Sequence, residues 1–493
     1  MKKILVALLL LIAMVANCVM LASCDMFGGS NDGEDEEWNN EEVEGKINIT
    51  FYHTMGENLR TVLNAYLEDF EAMYPNIHVI HEQVGGYDDV RSQISTELTV
   101  GGGPNLAYCY PDHVALYNVA KAVVTLDEFI NGGKATTDAG KLADGTVADL
   151  GLTEEQKADF ITAYYEEGKQ FGDGKMYTMP LSKSTEVLYY NKTFFDANNL
   201  KVPTTWDEME ALCAQIKELT TTKGLDCIPL GYDSEANWFI TMCEQLGTDY
   251  TTADKSAGHF LFDNAENQAF VRKFVDWYNK GYVTTQEIYG AYTSGLFTSE
   301  QTKQFSVMSI GSSAGATHQR PKKDDATGEY PFEVGIAPIP QANAEAPKVI
   351  SQGPSLCIFG DTDAEVEASW LLVKFLTTNV GFQAEFSEAS GYVPVIKSVS
   401  SDADYQKFLA GANGTTGIAA LSAKVCLEQV DAYYTSPAFN GSSVARDEVG
   451  ALLQACLVLG NPQENLSDAE IKSQIDKLFK EAVKECKYQA GIK

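Results

Sequence analysis

Apolar positions recur along this chain in two alternating rhythms. Ile47–Tyr52 (INITFY) alternates apolar and polar residues and is rich in β-branched side chains, the pattern of a strand buried on one face. Asn58–Met73 instead repeats apolar residues at helical spacing, through Val62, Leu63, Tyr66, Leu67 and Phe70, and stops before Tyr74-Pro75-Asn76. A strand over Ile77–Ile80, a helix over Tyr87–Leu98 and a strand over Leu106–Tyr110 complete a β-α-β-α-β run. Such a run predicts an α/β lobe with a mainly parallel sheet. In open sheets of this kind ligands sit beyond the carboxyl ends of the strands, which singles out His53, Tyr87 and Tyr110–Asp112.

The rhythm continues less regularly. Leu116–Ile130 and Thr153–Tyr165 carry helical spacing, and Val187–Tyr190 is a short apolar strand. Thr204 or Thr205 is available as N-cap of the next helix, with Asp207 and Glu208 in its first turn. Helices are predicted over Glu208–Leu219 and Ala269–Lys280, with a turn-rich segment between them that holds Tyr232 and Trp238. Phe305–Ile310 and Phe332–Pro340 read as strands, the latter leading into a proline-marked crossover. Val349–Phe359 and the helix Asp363–Thr378 resume the first lobe's pattern, and Ser387–Val395 turns back. Helices within Leu421–Ala432, Val444–Leu459 and Asp468–Lys484 close the chain. The expected division is a first lobe over 46–180 and 338–390 and a second over 181–337 and 391–493.

The N-terminus has a different grammar. A basic Met1-Lys2-Lys3, an apolar Ile4–Val15 and a closing Leu21-Ala22-Ser23-Cys24 follow the order of a secretory signal. Small residues directly before Cys24 match the bacterial lipobox, so residues 1–24 are expected to be a leader and Cys24 the site of lipid attachment; an ordinary signal peptide or an uncleaved anchor is the alternative. Residues 25–45 are acidic and poor in large apolar side chains, the composition of a disordered tether. No later run reaches the roughly 18 apolar residues of a membrane span, so lipid alone is expected to hold the body at the extracytoplasmic face of a bacterial membrane.

Composition narrows the chemistry. A formal charge of −33 excludes nucleic acid as a partner, and it requires a locally cationic pocket for any anionic ligand. Eight cysteines follow Cys24 without a CxxC pair; disulfides and buried free thiols both remain open. The chain has no GxSxG, HExxH, P-loop or Rossmann glycine pattern. His78 and His81 fall on opposite faces of a strand, a poor arrangement for one metal, and no spacing argument places carboxylates such as Glu71 and Glu82 together. Neither an enzyme nor a cofactor is expected.

Seven blocks occur in a telling order: FYHTM, FEAMYPNIHV, GGGPNL, the stretch Lys175–Met209, SVMSIGSS, VGIAPIP and SGYVPV. Together they resemble the family 1 extracellular solute-binding proteins, ligand-capturing subunits of ABC importers, over nearly everything from Ile47 onward. The resemblance implies a type II periplasmic-binding fold, two α/β lobes joined by several crossovers and closing over one solute, with permease subunits as partners and a monomeric state. Within the family the chain is most similar to glycerol-3-phosphate-binding proteins. That similarity implies ligand contacts from Tyr87 (in GGYDDV), Ser184 (SKSTEVLYYN), Ser312 (MSIGSSAG), Gly353 (QGPSL), Tyr392 (SGYVPV) and Arg446 (SSVARDEV), with Tyr232 and Trp238 flanking the carbon skeleton. Tyr232 departs from the subclass, which has a Trp there. A second departure is Pro111 in place of a Glu: either Asp112 takes over hydroxyl recognition through a shifted loop, or the ligand differs.

The implied set suits a phosphorylated polyol. A guanidinium offers a planar donor fork, serine hydroxyls and a glycine N–H add donors, and phenols contribute further ones. Glycerol 3-phosphate or a glycerophosphodiester is therefore the first ligand expected, and a neutral sugar or oligosaccharide the alternative. Each residue also has an ordinary reading: Arg446 pairing with Asp447 or Glu448 on a solvated face, Tyr232 and Trp238 as core, and the serines and glycine as turn residues.

Overall fold

The computed structural model describes residues 38–492 apart from 255, 257, 361, 462, 464 and 465; the leader and Cys24 lie outside them. The folded chain starts before the expected tether boundary. Asn40 Oδ1 accepts the backbone N–H of His81 at 2.9 Å, and Asn48 Oδ1 accepts that of Val43 at 2.9 Å.

Among the described residues twelve strands follow in chain order: β1 (Ile47–His53), β2 (Ile77–Gln83), β3 (Leu106–Cys109), β4 (Met179–Pro180), β5 (Glu186–Asn191), β6 (Leu230–Tyr232), β7 (Val283–Thr285), β8 (Met308–Ser312), β9 (Val334–Pro338), β10 (Val349–Ile350), β11 (Ser355–Ile358) and β12 (Tyr433–Tyr434). They form two five-stranded sheets, ordered β2-β1-β3-β11-β4 and β7-β6-β8-β5-β9, and the small pair β10-β12. Each large sheet is mixed rather than mainly parallel. Four strands of each sheet point one way and one runs against them: β11 is antiparallel to both its neighbours β3 and β4, and β5 to both its neighbours β8 and β9. The reversed strands β11 and β5 are those a crossover delivers from the other lobe, so they enter the sheet from the opposite end.

Local signals set many helices. Tyr87–Leu98 and Asp363–Thr378 have the bounds their periodicity predicts. The helix Trp206–Thr222 starts two residues before the expected Glu208. Thr205 Oγ1 accepts the N–H of Glu208 at 3.2 Å, while Glu208 Oε2 reaches back to the N–H groups of Thr204 and Thr205, a reciprocal cap. Its buried face, Trp206, Met209, Leu212, Cys213, Ile216 and Thr220, keeps helical spacing.

Three expected elements differ. Leu116–Ile130 is not one helix: Pro111–Tyr117 passes into a short 3₁₀ turn, Lys121 is left-handed (φ 55), and Asp127–Ile130 is a separate turn of helix. Thr153–Tyr165 breaks at Phe160, which bridges to Ile396. The segment read as turn-rich holds β6 and the helix Glu235–Leu246. Nine of that helix's twelve residues are buried, and they include the polar Glu235, Asn237, Thr241 and Gln245, residue types that a sequence reading assigns to a solvated turn.

Crossovers join the lobes side by side. Leu181–Thr185, all buried, carries the chain from β4 in the first sheet to β5 in the second. Lys183 exchanges two backbone hydrogen bonds with Val393, and Ser184 exchanges two with Gln352, so three passages share a small ladder. Gly353 sits here at φ +95, and a Cβ on it would lie 2.6 Å from the Ser182 carbonyl oxygen, which only glycine avoids. All eight cysteines from Cys109 to Cys486 are buried free thiols. This is the two-lobed α/β arrangement that the resemblance implies.

Candidate functional site

Between the lobes lies a cavity of about 490 Å³, a volume suited to a small solute. The first lobe supplies two helix starts just beyond strand ends. After β2, Gly85 (φ +42) turns the chain into the helix Tyr87–Leu98, and Asp89 Oδ2 accepts the N–H of Gly86 at 2.7 Å. After β3, Tyr110-Pro111-Asp112-His113 opens the next helix. Both sit where strand-end geometry places ligands in open sheets. The helix dipoles favour negative charge at these starts, and Asp88, Asp89 and Asp112 occupy them.

Tyrosines gather on this wall. The Tyr87 ring lies 4.6 Å from that of Tyr110, and its hydroxyl is 3.4 Å from that of Tyr392, which comes from the third crossover. Burial pushes the phenols of Tyr87, Tyr110 and Tyr392 upward, so they act as neutral hydrogen-bond groups. His113, buried and edge-on to Tyr110 at 5.4 Å, also lines the cavity. Burial lowers its pKa, which keeps the imidazole neutral, and its Nδ1 has no protein partner.

The helix Ser442–Val458 forms the facing wall with Ser442, Ser443, Arg446 and Asp447. Arg91, one turn beyond Tyr87 on the first-lobe helix, donates to Ser443 Oγ and lies 3.4 Å from Asp447 and 3.2 Å from Asp88. It therefore ties the two walls across the cleft. Burial raises the Asp447 carboxyl, Asp88 and Asp112 add to this, and Arg91 and Arg446 oppose it. Arg446 donates to Asn237 Oδ1; Asn237 Nδ2 donates to Glu186 Oε1 at 2.9 Å, and Glu186 Oε2 accepts from the Tyr232 hydroxyl at 2.6 Å.

The structure sorts the residues named from sequence into three groups. Tyr87, Asp112 and Arg446 line the cavity, and Tyr392 touches it through Tyr87. Ser184 and Gly353 lie in the crossover ladder beside the lining residue Gln352, and Ser312 caps the turn after β8 by accepting the N–H of Ala314 at 3.2 Å. Tyr232 and Trp238 are wholly buried in the second lobe's core, stacked on each other at 4.9 Å, with Phe274 at 3.9 Å from Trp238. Their rings do not line the cavity, because β6 and the following helix turn them inward. Arg446 has Asn237, not Asp447 or Glu448, as its recorded side-chain partner.

Arg91 and His113 were not singled out from the sequence. Arg91 stands four residues after Tyr87, the spacing that puts two side chains on one helix face. His113 follows the flagged Asp112 directly. A larger hollow of about 680 Å³, among Glu385, Glu388, Asp402, Asp404 and Lys407, holds none of the residues named from sequence. Among the described residues no group of His, Cys, Asp and Glu has metal-site geometry, and no helix is long and apolar enough to cross a membrane.

Known proteins share this plan. The chain is similar to the sn-glycerol-3-phosphate-binding periplasmic protein UgpB of Escherichia coli K12, 23% identical over 370 residues, covering 71% of this chain and 74% of that protein. It is 24% identical over 241 residues to the multiple sugar-binding protein of Streptococcus mutans, covering 49% of this chain and 47% of that one, about half the length of each. Among solved structures, UgpB from Mycobacterium tuberculosis in complex with glycerophosphocholine superposes with a TM-score of 0.67 at 18% identity, covering 90% of this chain and 100% of the other. The cyclic alpha-maltosyl-1,6-maltose binding protein of Arthrobacter globiformis gives 0.65 at 20% identity, over 89% and 100%. A two-lobed mixed α/β fold, a solute-sized cleft at its crossovers, and a match over residues 65–410 to the family model described as bacterial extracellular solute-binding protein agree: the chain belongs to the bacterial extracellular solute-binding proteins.

Proposed function

We propose that this protein is the solute-capturing subunit of an ABC importer, lipid-anchored through Cys24, and that its cleft takes a neutral carbohydrate and presents it to a membrane permease. The observation that carries the ligand class is charge. Asp88, Asp89, Asp112 and Asp447 line the cleft against Arg91 and Arg446, and both arginines already donate to protein acceptors. A unit negative charge about 6 Å from a carboxylate meets about 3 kcal/mol of repulsion at an effective dielectric of about 20. A phosphate dianion would meet more carboxylates than guanidinium groups. Sugar hydroxyls, by contrast, donate to carboxylates and accept from arginine, histidine and phenol. Tyr87, Tyr110, Tyr250 and Tyr292 add aromatic surface to the cavity lining, the kind of surface that suits a pyranose.

The second reading, glycerol 3-phosphate or a phosphodiester, rests on Arg91 and Arg446 entering one cavity beside Ser442 and Ser443 at a helix start. Two of the four similar proteins, the UgpB proteins of Escherichia coli and Mycobacterium tuberculosis, bind such solutes. Calorimetry with maltotriose, glycerol 3-phosphate and glycerophosphocholine separates the two. Saturable heat with maltotriose alone is expected, and heat only with the phosphate compounds would overturn the carbohydrate reading. Arg446→Ala adds a second discriminator: a phosphate ligand loses a charge-assisted bond worth about 1.5–3 kcal/mol, or more when desolvated, and a sugar loses about 1 kcal/mol.

A further inference from the structure

Glu186 is the most deeply placed carboxylate near the cleft, at 1% exposure, and it opens β5 directly after the first crossover. Both its oxygens accept hydrogen bonds, from the Tyr232 hydroxyl and from Asn237 Nδ2. Asn237 has its backbone N–H on Ser234 Oγ, in the first turn of the helix Glu235–Leu246, so its side chain bridges from a fixed base. Its other end, Oδ1, accepts from Arg446, 209 residues away in sequence and on the cleft wall.

This arrangement is directional. An ionised carboxylate only accepts and a guanidinium only donates, so an amide between them has one orientation that satisfies both. Turned the other way, Asn237 would set oxygen against carboxylate and N–H against N–H. We propose that Glu186 is a positioning residue for the binding cleft: through Asn237 it fixes where the Arg446 guanidinium stands and supplies its counter-charge from within the second lobe. The inference deepens the carbohydrate reading, since an arginine already neutralised from behind serves a neutral acceptor better than a dianion. Its first test needs no ligand.

The groups facing Glu186 are few. Tyr232 lies on β6, Asp233 follows it, Arg446 is on the helix Ser442–Val458, and Tyr434 is on β12. Asp233 is occupied by the N–H and hydroxyl of Thr293 at 2.6 and 2.7 Å. Burial raises the Glu186 carboxyl to about 7, with the Tyr232 and Asn237 bonds and the Arg446 charge opposing. Protonation near neutral pH turns one acceptor into a donor and removes the counter-charge, so Arg446 should register it.

The test is the arginine side-chain ¹⁵N–¹H spectrum of the ligand-free protein between pH 5.5 and 8.5, with the Arg446 signal assigned by its loss in Arg446→Lys. The wild-type signal is expected to shift with a midpoint of about 7, and Glu186→Gln to flatten it. Asn237→Ala leaves the carboxylate titrating and cuts the link, so Arg446 should no longer follow, and this decides the matter if Glu186→Gln does not fold. An Arg446 signal that is flat in wild type, or that titrates equally in Glu186→Gln or Asn237→Ala, overturns the positioning role. In parallel, maltotriose affinity should fall about tenfold in Asn237→Ala, with circular dichroism unchanged. Failure of maltotriose to bind wild type would sink the carbohydrate reading alone, because the resonance decides the positioning role.

Discussion

Removing one partner of the buried pair Lys183–Glu167 should cost this protein far more than removing any surface ion pair. Lys183 lies in the first crossover with no exposed side-chain surface, and Glu167, at the end of the helix Thr162–Glu167, has 2%. Lys183 Nζ donates to Glu167 Oε1 at 2.8 Å, Ser355 Oγ at 3.1 Å and the Gly353 carbonyl at 3.3 Å, while Glu167 Oε2 accepts from Ser351 Oγ at 3.1 Å. One ion pair thus joins a helix end and two passages between the lobes. Lys183→Met strands a buried carboxylate with one hydroxyl donor, and Glu167→Gln strands a buried ammonium among neutral acceptors. Each should lose about 3–5 kcal/mol in urea unfolding followed by tryptophan fluorescence. The double variant should lose much less than the sum, since it removes both charges together. The wild-type contribution should also persist in concentrated salt, which screens exposed pairs such as Lys134–Asp149. A loss under about 1 kcal/mol in either single variant, the worth of a surface pair, would refute the reasoning.

Three further outcomes are expected. Gly353→Ala should destabilise by about 2 kcal/mol or more in the same unfolding assay and weaken solute binding, because its positive φ and the 2.6 Å approach to Ser182 oxygen leave no room for a methyl group. Tyr232→Phe should cost about 1.5–3 kcal/mol at pH 8, where Glu186 is ionised and loses a 2.6 Å donor, and clearly less at pH 5.5, where the carboxyl is protonated; an equal loss at both would contradict the raised pKa of about 7. Acid should weaken the first lobe through the relay Met55 N–H to His53 Nδ1, His53 Nε2–H to His81 Nδ1, and His81 Nε2–H to Asn64 Oδ1. Burial lowers His53 to about 3 and His81 to about 4, so the unfolded chain binds the extra protons first. Stability is then fully present above about 6.5 and falls by several kcal/mol as pH drops toward 4, and His53→Gln should flatten that slope.

Much of the site's first wall was legible along the chain. Tyr87 and Tyr110–Asp112 follow strand ends, and strand-end position is a local property of the β-α rhythm. Arg446 was named by the family resemblance alone, and nothing local placed Asn237 or Glu186 behind it. Tyr232 and Trp238 illustrate the opposite case. Large aromatic residues in an apparently irregular segment suit a ligand platform, but they form the core of the second lobe.

The sequence by itself determined what depends on near neighbours. Periodicity and capping set the helices Tyr87–Leu98, Trp206–Thr222 and Asp363–Thr378, because a turn of helix is decided by residues three and four apart. The ordered blocks from FYHTM to SGYVPV set the family and so the two-lobed plan. Only the tertiary structure decided what depends on distant parts of the chain meeting. It reversed β5 and β11 within their sheets, hid the helix Glu235–Leu246 by burying nearly all its faces, and brought Tyr392 to Tyr87 across 305 residues. It also set two arginines among four cleft aspartates, the balance of charge on which the carbohydrate proposal rests. Pairings of this kind leave no period in the sequence, because each side chain's environment is made by elements hundreds of residues away.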